Sequence, residues 1–478
     1  MVRLENGARR GSSRLFVILL IAATFIAVIG VHSATAPIKL QAATTSPNLP
    51  NILIIVTDDQ RLGSLSSLPR TMHWFRHGGR TFTNAFDTTP LCCPSRSSIF
   101  TGLFAHNHGV IGNTDASMLP LDRTIQRYLG DAGYQRAIAG KYVGHSLADP
   151  PYWDHWAIMK PPAYYNADFN IDGVRQVVPE YTTDFIAQKA SEDLTSFESD
   201  DSRPWLLYVA PNAPHPPATP EPDYAHAPVP PFKPTRATHE KNRSDKPGYV
   251  RHTRADMTNV RAFYRRQLRT LMSVDDLVDG LFTQMQTLDE TRSTLAIFIS
   301  DNGYMWGDHG LFNKRFPYTP SIKVPMFMRW PGHVTPGSKD DRMVANIDIA
   351  PTIMKATKIK PPYPMDGRPL LGNHVRSRML NEYFQDVDSR QIPTWASIRT
   401  ARYQYIESYN KEPIGTSAQV YGRAGNQPIR FQEYYDLKKD PWQNHNILRD
   451  HHPGNDPDVG RLHRMLAHDR ACSAKACP

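Results

Sequence analysis

The chain has 478 residues, of which 40% are apolar and 21% charged, a globular composition that excludes a largely disordered protein. Its formal net charge of +9 comes from 55 Lys and Arg against 46 Asp and Glu, scattered without a basic stripe. That balance favours acidic ligands and argues against a nucleic-acid partner, while only four cysteines exclude a disulfide-stapled scaffold.

Residues 1–36 read as an export segment. A basic stretch precedes "LFVILLIAATFIAVIGV" (Leu15 to Val31), and "ATA" (Ala34 to Ala36) supplies small residues for cleavage. It is a cleaved signal peptide or a retained membrane anchor; in both readings the folded part is exported, secreted or extracytoplasmic, and meets a membrane only if the segment is retained. Residues 37–48 read as a linker, 49–375 as a catalytic domain, and 376–478 as a smaller C-terminal subdomain.

From residue 49 onward one pattern recurs: a short apolar run that ends abruptly in polar residues. Ile52 to Val56 leads to Asp58 and Asp59, "YQRAIAG" to Lys141, Leu206 to Val209 to His215, and Leu295 to Ile299 to Asp301 and Asn302. Continuous apolar strands mark a sheet buried on both faces, and ligands of such sheets bind beyond the strands' carboxyl ends. Val260, Phe263, Leu268, Leu271, Val274, Val278, Leu281 and Met285 recur at helical spacing just before the Leu295 run, as a crossover helix should. Residues 211–256, rich in Pro and His, form either a substrate-shaping loop or a solvated excursion. Beyond residue 376, "TWASIRTARYQYIESY" and "QEYYDLKKDP" suggest a smaller sheet, followed by a helix near "DVGRLHRMLAHD".

An Asp pair after a strand is commonly a turn, and so is "SDNG". Both at the ends of buried strands bring three carboxylates and an amide oxygen to one edge, a donor set for Ca2+ or Mg2+ rather than zinc. Lys141 and His215 reach the same edge, and His309 and Lys314 follow Asp301 closely. Cations around a carboxylate-bound metal suit a tetrahedral anion such as phosphate or sulfate. Cys472 and Cys477 can close a short loop in an oxidising compartment. In "CCPSRSS", Cys92 and Cys93 are adjacent and join poorly to each other. Pro94 fits a first helical turn, the N–H groups of Ser95 to Ser98 would face an anion, and Arg96 adds a fork of donors. The plain alternative is a buried thiol pair beside a capped helix.

The run Cys92-Cys93-Pro94-Ser95-Arg96 resembles the signature by which sulfatases mark a cysteine for oxidation to Cα-formylglycine. The residue converted in that pattern lies two before the proline, which is Cys92. "NILIIVTDDQ", "TGLFAHNHGV", "AGKY", "APHPP", "SDNGY", "KVPMFMRWPG", "VANIDIAPTI" and "YYDLKKDP" resemble family blocks in the expected order. The wording is most similar to the branch of N-acetylglucosamine-6-sulfatases and extracellular heparan sulfatases. The resemblance implies an alkaline-phosphatase-like α/β fold, with a large mostly parallel sheet sandwiched by helices and a smaller C-terminal α+β domain. It implies one Ca2+ held by Asp58, Asp59, Asp301 and Asn302 with the formylglycine made from Cys92, and maturation by a formylglycine-generating enzyme. Arg96 and Lys141 would hold the formylglycine, while His215, as proton donor, and Lys314 would meet the sulfate and the leaving oxygen. His309 and His145 are expected at the substrate. Many sulfatases carry a His two residues after the "GK" lysine; here that position is Val143, and His145 lies two further on.

The expected activity is hydrolysis of a sulfate ester, of a small molecule or a carbohydrate. Two rivals stay open: a phosphomonoester, phosphodiester or phosphonate hydrolase on the same scaffold, and a sulfated-glycan-binding protein with unconverted Cys92.

Overall fold

The four apolar runs lie side by side as parallel strands. The computed structural model describes residues 49–144, 146–385, 391–409 and 428–478. The expected export segment, the expected linker and His145 lie outside the described residues. Its first strands are β1 (Asn51–Thr57), β2 (Arg80–Phe86), β3 (Gln135–Gly140), β4 (His155–Met159), β5 (Ala167–Ile171) and β6 (Val174–Val178). They are followed by β7 (Trp205–Ala210), β8 (Thr294–Ser300), β9 (Met305–Trp306), β10 (Phe312–Asn313), β11 (Met326–Arg329) and β12 (Ser338–Ala345). One ten-stranded sheet runs β12-β2-β11-β8-β1-β7-β3-β4-β5-β6. Its centre, β8-β1-β7-β3-β4, is parallel, whereas β11, β5 and β6 pair antiparallel, so the sheet is mixed.

Alternation along β1 builds two cores. Ile52, Ile54 and Val56 pack with Ile138, Leu206 and Ile297 under the helices Cys92–Thr101 and Ile349–Thr357. Leu53 and Ile55 face Leu207, Val209 and Phe298, covered by the helices Thr182–Glu198 and Met257–Thr287. All eight apolar positions anticipated for the crossover helix are buried along Met257–Thr287. A sheet covered on both faces needs apolar side chains of both parities, which is why these strands read as unbroken apolar runs. Among the described residues no helix is long and apolar enough to cross a membrane.

The C-terminal part holds a four-stranded antiparallel sheet of β13 (Met379–Tyr383), β14 (Trp395–Arg399), β15 (Tyr403–Tyr409) and β16 (Ile429–Asp436). The helix Val459–Arg470 packs on it, and a disulfide joins Cys472 to Cys477 with Cα atoms 5.0 Å apart. Trp395, Tyr405 and Leu466 share one core with Phe86, Leu91 and Phe104 from the segments around the Cys92 helix. The stretch 211–256 is tied down: Arg243 Nη1 donates to the carbonyls of Val250 at 2.9 Å and Thr253 at 2.7 Å, and Asp245 accepts from the Asn446 amide at 2.7 Å.

Candidate active site

Strand register delivers the polar residues to one edge. Thr57 pairs with Ser300, so Asp58 and Asp301 leave the sheet at the same level; Gly140 pairs with Ala210, which brings Lys141 beside them. Gly140 has φ +107°, and a Cβ there would meet the Ala210 carbonyl oxygen at 2.1 Å, so this exit requires glycine. Asp59 takes φ +67°, a left-handed turn that Asp tolerates better than most residues. The turn aims its N–H at Asp301 Oδ1, 3.1 Å away.

The Cys92 helix supplies the rest, and all ten of its residues are buried. It begins at Cys92, earlier than the proline suggests, so the Ser95 N–H already belongs to the helix and donates to the Leu91 carbonyl at 3.0 Å. The expectation that Ser95 to Ser98 present free N–H groups to an anion is therefore corrected at Ser95. The Cys93 N–H is instead satisfied by Asn113 Oδ1 at 3.1 Å, a cap that arrives from a loop twenty residues on. The Cys93 sulfur accepts from the Gly144 N–H at 3.2 Å. Ser95 Oγ donates to the Asp301 carbonyl and accepts from Asn346 Nδ2 at 2.8 Å, which pins the helix to the loop that follows β8.

Cys92 Sγ lies 3.4 Å from Asp58 Oδ1 and accepts from Lys314 Nζ at 2.7 Å. Lys314 also donates to Asp59 Oδ1 at 2.5 Å, and Lys141 Nζ donates to Asp58 Oδ2. Arg96 Nε donates to Asp301 Oδ2 at 2.8 Å and Nη1 to the Lys141 carbonyl at 2.8 Å. One ligand atom from each of Asp58, Asp59, Cys92 and Asp301 falls within 4.8 Å of the others. Asn302 joins them by donating Nδ2 to Asp59 Oδ1 at 2.7 Å. Buried Asp59 Oδ2 and Asn302 Oδ1 have no hydrogen-bond partner, an arrangement that costs free energy unless something else meets those oxygens. Hard oxygen donors with unused lone pairs converging in a buried pocket fit a divalent cation of the Ca2+ type.

The electrostatics are lopsided. Burial opposes ionisation of Asp58, but Lys141, His215, Arg96 and Lys314 outweigh it and hold its carboxyl below the usual carboxylate range. Burial and then Asp58 push Asp301 up to about 6, against the pull of Arg96. Burial and Asp58 likewise push the Cys92 thiol up to about 12, so an unmodified Cys92 is a neutral thiol and a poor nucleophile.

His215 sits at the mouth, its Nε2 3.8 Å from Asp59 Oδ2. Its Nδ1 donates to the Pro216 carbonyl at 2.6 Å, leaving Nε2 to face the cluster. Burial pushes its pKa down to about 4, despite Asp58 and Asp59. At neutral pH the ring is therefore uncharged, with Nε2 free to accept a proton. His309 belongs to a different network: it is 1% exposed, its Nδ1 is 2.7 Å from Glu240 Oε2, and its ring packs on Tyr318. Val143 is buried in the core. Gln267 went unnoticed in sequence because it sits amid a helical apolar stripe. Its Nε2 donates to the Pro214 carbonyl at 3.0 Å and to the Asp59 carbonyl at 3.4 Å, while its Oε1 accepts from Trp306 Nε1 at 2.7 Å.

Comparison with known proteins matches residues 50–359 to the Sulfatase family and residues 307–421 to the model for the N-sulphoglucosamine sulphohydrolase C-terminal region. The chain is 34% identical over 346 residues to an extracellular sulfatase SULF-1 homolog of Drosophila melanogaster, covering 67% of this chain but 31% of that protein. It likewise spans only 50% of a Sulf-1 homolog of Caenorhabditis elegans. It is 30% identical to the N-acetylglucosamine-6-sulfatase of Homo sapiens over 526 residues, covering 98% of this chain and 92% of that one. A solved structure of BT4656 with its substrate D-glucosamine-2-N,6-O-disulfate superposes with a TM-score of 0.75 at 22% identity, over 87% of this chain and 97% of that one.

Proposed function

The chain belongs to the sulfatase family, and from that premise we propose that it is an exported hydrolase of sulfate esters on a carbohydrate. The observation that carries the reading is Cys92 at the start of a buried helix, its sulfur against Asp58 and Lys314. The names of the relatives, N-acetylglucosamine-6-sulfatase and extracellular sulfatase, support a sulfated sugar as substrate and an extracytoplasmic setting.

In this reading Asp58, Asp59, Asp301 and Asn302 would hold Ca2+, and Cys92 would be converted to formylglycine by a formylglycine-generating enzyme. The ion would supply charge stabilisation at a sulfate group, and the hydrated aldehyde would supply a nucleophilic hydroxyl and a second one for sulfate release. Arg96 bridges Asp301 and the Lys141 backbone, which keeps the donor set in place when a substrate arrives. Lys141 and Lys314 put two ammonium groups beside position 92, positioned to neutralise sulfate oxygens. His215 Nε2 is the nitrogen available to hold and return a proton at the leaving oxygen. His309 acts on the substrate side through the loop it anchors to Glu240, and His145 acts at the substrate.

The test is a pair of measurements on protein produced with the modifying enzyme. Peptide mass spectrometry across residues 81–96 reads the state of Cys92. Turnover of sulfated sugars, sulfated steroids, aryl sulfate and aryl phosphate reads the chemistry. An aldehyde at position 92 with preference for a sulfated sugar is expected. A thiol at full activity, or preference for phosphate, overturns the reading.

A further inference from the structure

Three hollows outside the Cys92 cluster lie in series, each sharing lining residues with the next. The first, about 360 Å³, is walled by Arg61, Lys233 and the rings of Tyr264 and Trp306. The second, about 340 Å³, shares Arg61, Gly63 and Trp442 with it. The third, about 220 Å³, shares Thr319, Lys323 and Pro441 with the second and is lined at its far side by Arg399. Arg61, Lys233, Lys323 and Arg399 line the cleft and no Asp or Glu does, although Arg61 is paired with Asp308 behind the wall. Its walls come from the segment leaving β1 (Arg61 to Gly63), which also carries Asp58 and Asp59, and from the short helix Thr319–Ile322, which lies beyond β10.

The far end is chemically unusual. Lys323 Nζ and Arg399 Cζ lie 6.0 and 4.9 Å from the centroid of the Phe86 ring. Lys323 donates to Asn84 Oδ1 at 3.0 Å; Arg399 Nη1 donates to Thr319 Oγ1 at 3.0 Å and Gln404 Oε1 at 2.7 Å. All these partners are neutral, and among the described residues neither cation has a carboxylate in ion-pair range. Buried Arg376, in contrast, is paired with Asp348. Burial, then the neighbouring guanidinium, holds Lys323 down to about 8, and burial holds Arg399 down to about 10. Two part- or fully buried cations on one cavity, with no counter-charge from the protein, are stabilised by an anion from solution.

At the other end the cleft offers an open ring: Trp442 is 37% exposed, whereas Trp306 is 5% exposed and covered by the Arg61 guanidinium at 4.8 Å. Aromatic faces pack against the apolar faces of sugar rings, and three hollows in series suit a chain better than a single ion. We infer that this cleft holds a sulfated carbohydrate chain beyond the ester being cleaved, with a sulfate group seated between Lys323 and Arg399. The identity of the chain rests on the proposed function; the anion seat does not.

The experiment is equilibrium binding of a heparin-derived octasaccharide, and separately of inorganic sulfate, to the full chain and to its Lys323→Gln and Trp442→Ala variants, with aryl sulfate turnover measured alongside. These two side chains are chosen because Arg399 also holds Thr319 and Gln404 and its loss would disturb packing. Each substitution should weaken the octasaccharide about five-fold or more while aryl sulfate kcat/KM changes less than about two-fold. No binding to the unsubstituted chain, or unchanged affinity in both variants, overturns the cleft. Loss of inorganic sulfate binding in Lys323→Gln with the octasaccharide unaffected leaves an isolated ion site and also overturns it. Octasaccharide binding through Lys323 and Trp442 with no sulfate ester turned over would leave the cleft standing and remove the proposed function.

Discussion

Lys314 donates to the sulfur of Cys92 at 2.7 Å, although 222 residues separate them along the chain. The same ammonium reaches Asp59 at 2.5 Å, so one side chain touches both the candidate metal set and the candidate nucleophile position. Burial alone would depress its pKa, but Asp59 foremost, then Cys92 and the other carboxylates, raises it well above the ordinary lysine value. It therefore stays charged at any working pH.

Lys314→Met keeps the stem and removes the charge. With Ca2+ present to balance Asp59, the variant should stay folded while kcat for a sulfate ester falls by about 100- to 1,000-fold, the scale for losing one oriented cation or donor. Circular dichroism checks the fold and steady-state kinetics the rate. A kcat within ten-fold of the parent would remove Lys314 from the reacting centre.

Asp301→Asn should abolish bound Ca2+ and turnover together. The substitution also costs stability, because fully buried Arg96 loses the charge of its 2.8 Å carboxylate and keeps Asp58, 3.8 Å away, as counter-charge. Removing one partner of a buried ion pair costs up to about 3 to 5 kcal/mol. Metal content by atomic emission and a melting curve decide the point. A stoichiometric ion in the variant would take Asp301 out of the donor set.

Cys92→Ser retains one hydroxyl and no second, so it should attack once and stop, leaving sulfate attached to the introduced serine. Peptide mass spectrometry after incubation with substrate reads the adduct. Cys93→Ala should keep catalysis but melt earlier, since the buried Gly144 N–H loses its 3.2 Å acceptor at a cost of about 1 to 3 kcal/mol. Repeated turnover by Cys92→Ser, or an aldehyde mapped to Cys93, would reverse the assignment of the two thiols.

Asn113→Ala removes the cap on the Cys93 N–H. Loss of such a cap costs about 1 kcal/mol, and the frayed residue adjoins Cys92. A lower melting temperature is expected, with Asn113→Asp restoring most of it because the acceptor oxygen is retained. Equal melting of Asn113→Ala and the parent would show that the cap carries no stability.

Four strands buried on both faces, and the residues at their carboxyl ends, were legible in the sequence. Asp58, Lys141 and Asp301 each follow an apolar run, and a sheet buried on both faces must be apolar at every position until the chain leaves it. The cysteine-proline-arginine signature and the pairing of Cys472 with Cys477 were also legible, because each is local in the chain. The antiparallel pairing of β11, β5 and β6 was not, since direction depends on connections rather than composition. Tertiary structure alone separated His309 from Lys314: five residues apart, one faces Glu240 and Tyr318 and the other faces Cys92, because His309 takes φ +55° and the backbone turns between them. It alone joined Asn113, Gln267 and Asn346 to the site. Polar side chains that satisfy buried backbone groups carry no signal of their own in sequence; their partners are chosen by packing.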